Sequence, residues 1–135
     1  MKIKKFLDFL PTNFRHEKSF FIQNNLTDLE QLSNLSDLDI NEIQRKYKLC
    51  TLNNLKKIRA IAIFKKEISI SPTEAYLLLH CGIGSIKSLS KSTPYELEGK
   101  IGRLERMLRV KTEANITFAL LTTWIKRAKQ ICKSI

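Results

Sequence analysis

Between Leu79 and Ile86 the chain reads Leu-His-Cys-Gly-Ile-Gly-Ser-Ile, and these residue types suggest two kinds of chemistry. Gly82 and Gly84 flank a single apolar residue between two helical patterns. Glycine lets a backbone turn with positive φ and approach a partner closely. The first amides of the helix that follows lack intrahelical acceptors, so a phosphate oxygen can take their hydrogen bonds. Gly82, Ile83, Gly84 and Ser85 are therefore candidate phosphate contacts, with Lys87 and Lys91 flanking them. The alternative needs no ligand: Gly82 closes a helix in the left-handed conformation and Ile83 plugs the core. His80 beside Cys81 is the second candidate, as nucleophile or metal ligand. Adjacent helical side chains diverge by about 100°, and no further His, Cys or acidic residue lies close by to complete such a site.

Cationic residues form the other constellation. Arg103, Arg106, Arg109 and Lys111 recur at near-helical spacing between Leu104, Met107, Leu108 and Val110, and Lys126 and Arg127 start a further block with Lys129 and Lys133. A guanidinium presents a rigid fork of donors that suits a phosphate; the alternative is a solvated amphipathic face. A third block, Lys56-Lys57-Ile58-Arg59 with Lys65 and Lys66, lies earlier in the chain. No paired carboxylates, no Ser-His-Asp or Cys-His arrangement, no metal-spaced cluster and no Walker-type loop is evident. The expectation is a non-catalytic protein without cofactor or metal.

Bulk properties agree with a polyanion as partner. The 135 residues carry 24 Lys and Arg against 13 Asp and Glu, a formal charge of +11. Between Lys18 and Arg45 there is no cation, and five carboxylates fall in that stretch. The molecule thus has an acidic flank and a basic remainder that can orient in a polyanion's field. Apolar content of 43% suffices for a core. No apolar run approaches the roughly 20 residues of a membrane span. The three cysteines, far apart and never in a C-x-x-C pair, fit a reducing cytoplasm. Asp8 and Pro11 interrupt any signal-peptide core, so residues 1–13 read as a short amphipathic helix. Its Lys2, Lys4, Lys5, Phe6 and Phe9 could also touch an anionic membrane surface.

The elements that must position these residues are all helical. Ser71-Pro72-Thr73-Glu74 and Thr93-Pro94-Tyr95-Glu96 carry a capping residue, proline at the first helical position and glutamate three residues after the cap. Thr27–Glu30 and Ser36–Asp39 are weaker versions, and Thr51 or Asn53 can cap a long segment beyond. A further long helix is expected from about Glu113 to Lys133, with Phe118, Leu121, Ile125, Ala128 and Cys132 on one face and Trp124 as a core anchor. The fold class is all-α.

The chain also reads as a diverged duplication. A shift of 57 positions brings Glu17 onto Glu74, Phe21 onto Leu78, Asn25 onto Gly82, Leu32 onto Leu89 and Ile40 onto Leu97. A shift of 66 brings Thr51 onto Thr117, Leu55 onto Leu121 and Ala62 onto Ala128, which places the extra residues near Leu104–Lys111. The units are residues 14–70, a degenerate copy, and 71–135, the better preserved one.

In the second unit, Ala75-x-x-Leu78 leads into Gly82-Ile83, then Ser85-Ile86-x-x-Leu89, Ser92-Thr93-Pro94-x-Glu96-Leu97 and a helix ending Trp124-Ile125-x-x-Ala128. This pattern, over residues 72–133, resembles the helix-hairpin-helix superfamily. It is similar to the small N-terminal helical domain of archaeal and eukaryotic RecA-type recombinases and to related bacterial and cyanobacterial domains. The resemblance implies tandem helical bundles that bind nucleic acid, DNA or RNA, through backbone contacts with little sequence preference. Two departures matter. Cys81 stands where proline or a small residue precedes the first glycine. In the first unit Asn25 and Thr27 replace the glycines, while Asp28 takes the phosphate's place. The competing expectation is a helical adaptor docking on an acidic protein partner or within a multi-subunit assembly, with no integral membrane segment in either case.

Overall fold

The computed structural model describes residues 6–108 and 116–133. Their regular structure is helical throughout, with eight α-helices: α1 Arg15–Gln23, α2 Leu29–Ser33, α3 Asp37–Lys46, α4 Leu52–Ile68, α5 Pro72–His80, α6 Ile86–Ser90, α7 Pro94–Leu108 and α8 Phe118–Lys133. The chain is all-α.

Helix starts follow the capping chemistry of the sequence. Ser71 accepts from the Glu74 amide while Glu74 reaches back to the Ser71 amide, and Ser36 and Asp39 form the same reciprocal pair. Thr51 caps α4, and its hydroxyl accepts from the Asn54 amide at 3.1 Å. Three starts differ from expectation. The cap of α2 is Asp28 with Gln31 opposite, instead of Thr27 with Glu30, because the helix starts one residue later. Thr117 caps α8 by accepting from the Leu120 amide, so the helix starts at Phe118; the expected first residues, 113–115, lie outside the described ones. The expected amphipathic helix over residues 1–13 lies partly outside the described residues, with Lys2, Lys4 and Lys5, and in its described part residues 6–9 and 12–14 form two 3₁₀ turns. Pro11 offers no amide and keeps Leu10 out of helical geometry, and Leu7, Leu10 and Phe14 are drawn into the core.

The core is one continuous cluster through both halves of the chain. At its centre lies α4, packed by α2, α3, α5 and α8. Its buried residues, Leu55, Ile58, Ile61, Ala62, Phe64 and Ile68, therefore surround much of its circumference instead of forming one stripe. The dominant contacts within the halves pair corresponding helices, α2 with α4 and α6 with α8. The bounds of α1 and α2 recur 57 positions later in α5 and α6, while α3 has ten residues and α7 fifteen. Part of the extra length thus extends α7. Among the described residues no helix is long and apolar enough to cross a membrane.

Candidate functional site

The turn between α5 and α6 is a complete Schellman closure. The Gly82 amide donates to the Leu79 carbonyl at 3.0 Å and the Ile83 amide to the Leu78 carbonyl at 2.9 Å. Gly82 has φ +87° with open space where a side chain would begin, so glycine serves the backbone conformation and not close packing. Ile83 is buried in the core with Leu78. Two of the four loop residues expected to touch a ligand are thus occupied by the fold. Ser85 is partly occupied too: its amide donates to Ser88 Oγ, and its hydroxyl accepts from the Ser88 amide, both at 3.1 Å. Gly84 differs. It has no positive φ, and a methyl group there would meet only Leu79 at an ordinary 3.9 Å, so the fold does not require glycine at this position.

Gly84 and Ser85 border a groove of about 570 Å³ that the sequence did not foreshadow. Its opposite wall is α4, with Lys56, Arg59, Ala60 and Ile63, and the turn after α2 closes one end with Ser33 and Leu35. Arg59 is held in place: Nη1 lies 2.8 Å from Asp37 Oδ1 and donates to the Leu35 carbonyl at 3.1 Å. Lys56 is exposed and has no ion pair among the described residues. The groove therefore has an apolar floor, two hydroxyls, one fixed guanidinium and one free ammonium. The signal was present, because residues 56, 59, 60 and 63 fall on one helical stripe, but only the structure shows which hairpin that stripe faces.

The remaining candidates spread over α6, α7 and α8. Lys87, Lys91, Arg103, Arg106 and Lys126 are exposed and make no ion pair among the described residues. Arg127 is not a free contact. Its Nη1 donates to the Ile68 carbonyl at 2.9 Å and satisfies the C-terminus of α4 across the junction of the two halves. Arg109 and Lys111 lie outside the described residues.

His80 and Cys81 do not form a reactive pair. The His80 ring packs edge-on against Tyr76 with centroids 4.5 Å apart. Burial pushes the Cys81 thiol upward, with the nearby Lys100 opposing the shift. Among the described residues no cluster of His, Cys, Asp or Glu could hold a metal ion. Two buried carboxylates have structural roles, of which the capping motif marks Glu74 and no motif marks Glu17. Glu17 accepts from the Thr51 amide (3.1 Å) and Asn54 Nδ2 (3.2 Å), and so braces the start of α4 from α1. Its counterpart Glu74 accepts from the Ser71 hydroxyl at 2.7 Å through Oε1, whereas Oε2 has no partner among the described residues. The coincidence of Glu17 and Glu74 at the 57-residue shift is the clue that the sequence offers.

No curated protein and no solved structure matches this chain. One family model does, over residues 11–131, so nearly the whole helical array, both hairpins included, lies within the match. The chain belongs to the family described as Domain of unknown function (DUF4332).

Proposed function

We propose that this protein binds nucleic acid through the phosphate backbone, with little sequence preference, and that its halves are two diverged helix-hairpin-helix-like units of which the second carries the binding surface. The observation that carries the reading is how the cations are paired, since the net charge is nearly equal before and after residue 70, with 13 Lys and Arg against 8 Asp and Glu in the first part and 11 against 5 in the second. Among the described residues the four ion pairs, Lys18–Asp8, Arg45–Glu42, Arg59–Asp37 and Lys66–Glu30, all fall before residue 70. From residue 71 onward, Lys87, Lys91, Lys100, Arg103, Arg106, Lys126, Lys129 and Lys133 stand exposed without one among those residues; of the lysines before it, Lys46, Lys48, Lys56 and Lys65 do so. Unpaired exposed cations cost nothing to redirect to phosphates, whereas paired ones must first give up a carboxylate.

The hairpin supports the same reading in a restricted form. Gly82 and Ile83 shape the turn, and contact passes to Gly84, Ser85 and Lys87, with Lys56 across the groove. The charge of the side chains, more than the loop amides, supplies the affinity. The protein acts in a reducing compartment such as the cytoplasm, where its three cysteines remain thiols.

A salt titration of binding to a labelled duplex tests the proposal. With about four to six phosphates neutralised, the log–log slope of affinity against salt is about −4 to −5. A flat response, or no binding at about 50 mM salt where counterion release is strongest, overturns it.

A further inference from the structure

We propose a second binding surface, on the first half, that takes an acidic segment of a partner protein bearing a large apolar side chain. A groove of about 500 Å³ runs between α1 and the turn that follows α3. His16 and Phe20 form one wall, and Lys46, Tyr47, Lys48 and Leu49 form the other. Tyr47 is 44% exposed and Leu49 68%, a large apolar exposure for two residues of a single turn. Neither lysine has an ion pair among the described residues, and no carboxylate lines this groove.

The turn is braced on every side. The Tyr47 amide donates to the Ile43 carbonyl at 2.9 Å, and the Cys50 amide donates to the Tyr47 carbonyl at 3.0 Å. The Cys50 thiol reaches the His16 carbonyl at 3.9 Å, and the next amide, of Thr51, is held by Glu17. The Tyr47 ring rests on Phe20 with centroids 4.6 Å apart. Its exposed face is thus presented by a fixed backbone, and the entropy of ordering it has been lost on folding, before any partner arrives. A rigid tyrosine with an apolar neighbour and a cationic rim has the composition of an interface centre.

Charge complementarity selects a peptide over a nucleic acid. Beyond Phe20, Lys46 and Tyr47 an adjoining groove of about 370 Å³ continues to Asp39 and Glu42. The Ser36 amide and hydroxyl hold the Asp39 carboxyl below the usual range, so it stays ionised at neutral pH. A phosphate backbone following this path would run onto two carboxylates. A peptide can place acidic side chains over Lys46 and Lys48, an apolar one against Tyr47 and Leu49, and neutral or basic ones near Asp39 and Glu42.

The test is selection of a displayed random 12-residue peptide library on the full chain, with excess single-stranded oligonucleotide present, followed by anisotropy of the synthetic winner. Expected winners combine an acidic pair with Leu, Phe or Trp. Their affinity falls at least tenfold in the Lys46→Glu/Lys48→Glu and Leu49→Asp variants, each verified as folded by circular dichroism, and it is unchanged when Lys87, Lys126 and Lys129 are neutralised. Leu49→Asp tests the apolar wall without altering the Tyr47–Phe20 ring contact. The proposal is overturned if no such consensus emerges, if winners bind both variants normally, if oligonucleotide displaces them, or if the groove is occupied by a second copy of the chain in a concentration-dependent dimer. Failure of duplex binding in the salt titration leaves these outcomes untouched.

Discussion

Residues 15–33 and 72–90 build helices and a turn of matching bounds, and the two halves of the chain pair their charges differently among the described residues. At the first hairpin the Leu26 amide donates to the Phe21 carbonyl (2.8 Å) and the Asn25 amide to the Ile22 carbonyl (3.3 Å), with Asn25 at φ +57°. At the second, Ile83, Gly82 and their acceptors repeat this pattern 57 positions on. The helix that follows is capped by Asp28 in one and Ser85 in the other. Then the halves diverge: Glu30, bound to Lys66 at 2.8 Å, has Lys87 as its counterpart, and Lys66 has Cys132, whose thiol lies 3.7 Å from the Ser90 hydroxyl. Asp37, bound to Arg59, is matched by Pro94, and Arg59 by Ile125. The turn closes in the same way in both, and the helix-to-helix contact forms with an ion pair in one and without one, among the described residues, in the other. The lesson is that the ion pairs joining α4 to α2 and to α3 have no counterpart between α8 and α6 or α7 among the described residues, which leaves the cations of the second half exposed there.

The sharpest way to break that comparison is to neutralise three cations on each side. Lys87→Gln/Lys126→Gln/Lys129→Gln is expected to weaken duplex binding at least tenfold near about 0.1 M salt and to reduce the salt slope by about 3, one for each phosphate left without its cation. Lys18→Gln/Arg45→Gln/Lys66→Gln removes the same formal charge from the first half, where those cations are already paired. It is expected to change affinity less than about threefold, the effect of long-range field alone. Equal losses from both triples would show that only net charge matters.

The buried glutamates give the next largest contrast, this time in stability. Glu17→Ala leaves the Thr51 amide and Asn54 without their acceptor in a closed site, and is expected to cost about 2–4 kcal/mol. Glu74→Gln keeps the acceptor for Ser71 and replaces an oxygen that has no partner among the described residues. The expected change is within about 1 kcal/mol of zero. Urea denaturation midpoints at a common m-value distinguish the two. A large loss at Glu74 would show that the carboxylate charge, and not only the acceptor for Ser71, supports the start of α5.

What the sequence showed and what it concealed follow from the range of the interactions. Capping pairs such as Ser71–Glu74 and Ser36–Asp39 act over three residues, so they can be read directly, as can the burial of Trp124 and Ala128 from helical spacing. The 57-residue shift locates Gly82 in its turn because a left-handed closure favours Asn or Gly at one position. Interactions across 24 to 59 residues are invisible in the sequence: Arg59 on Leu35, Glu17 on Thr51, Arg127 on Ile68. Each uses a side chain that looks solvated when only its own helix is considered. The groove beside Gly84 and Ser85 escapes for the same reason, since its cations belong to the other half of the chain.

The left-handed positions offer a smaller test. Besides Asn25 and Gly82, Ser69 adopts φ +66° at the end of α4, where its amide donates to the Lys65 carbonyl. Gly82→Ala is expected to cost about 1–2 kcal/mol, the penalty of an ordinary side chain in this conformation. Asn25→Gly changes little, because asparagine already tolerates the region. Ser69→Gly recovers part of the same penalty, offset by about 0.5–1 kcal/mol of backbone entropy, so a small net gain is expected. Thermal unfolding of the three variants should rank them Ser69→Gly, Asn25→Gly, Gly82→Ala from most to least stable.

The smallest expected effect lies at the Glu30–Lys66 pair. Its hydrogen bond and charge hold the Glu30 carboxyl below the usual glutamate range and raise the Lys66 ammonium above its own. A carboxyl depressed by folding stabilises the protein fully above its unfolded pKa, and that contribution fades as the pH falls through the ordinary range to the depressed value. A raised lysine acts in the opposite sense: its contribution is present at neutral pH and fades as the pH rises through the alkaline range. The pair therefore supports α2 on α4 in the middle of the pH scale and releases it at both ends. Glu30→Gln should flatten the stability profile on both sides while leaving the fold intact. The counterpart substitution, Lys87→Gln, should leave the profile unchanged, because no ion pair joins α6 to α8 among the described residues. If Lys87→Gln flattened the profile equally, the second half would hold a charge pair of its own, and its cations would not be free for phosphate.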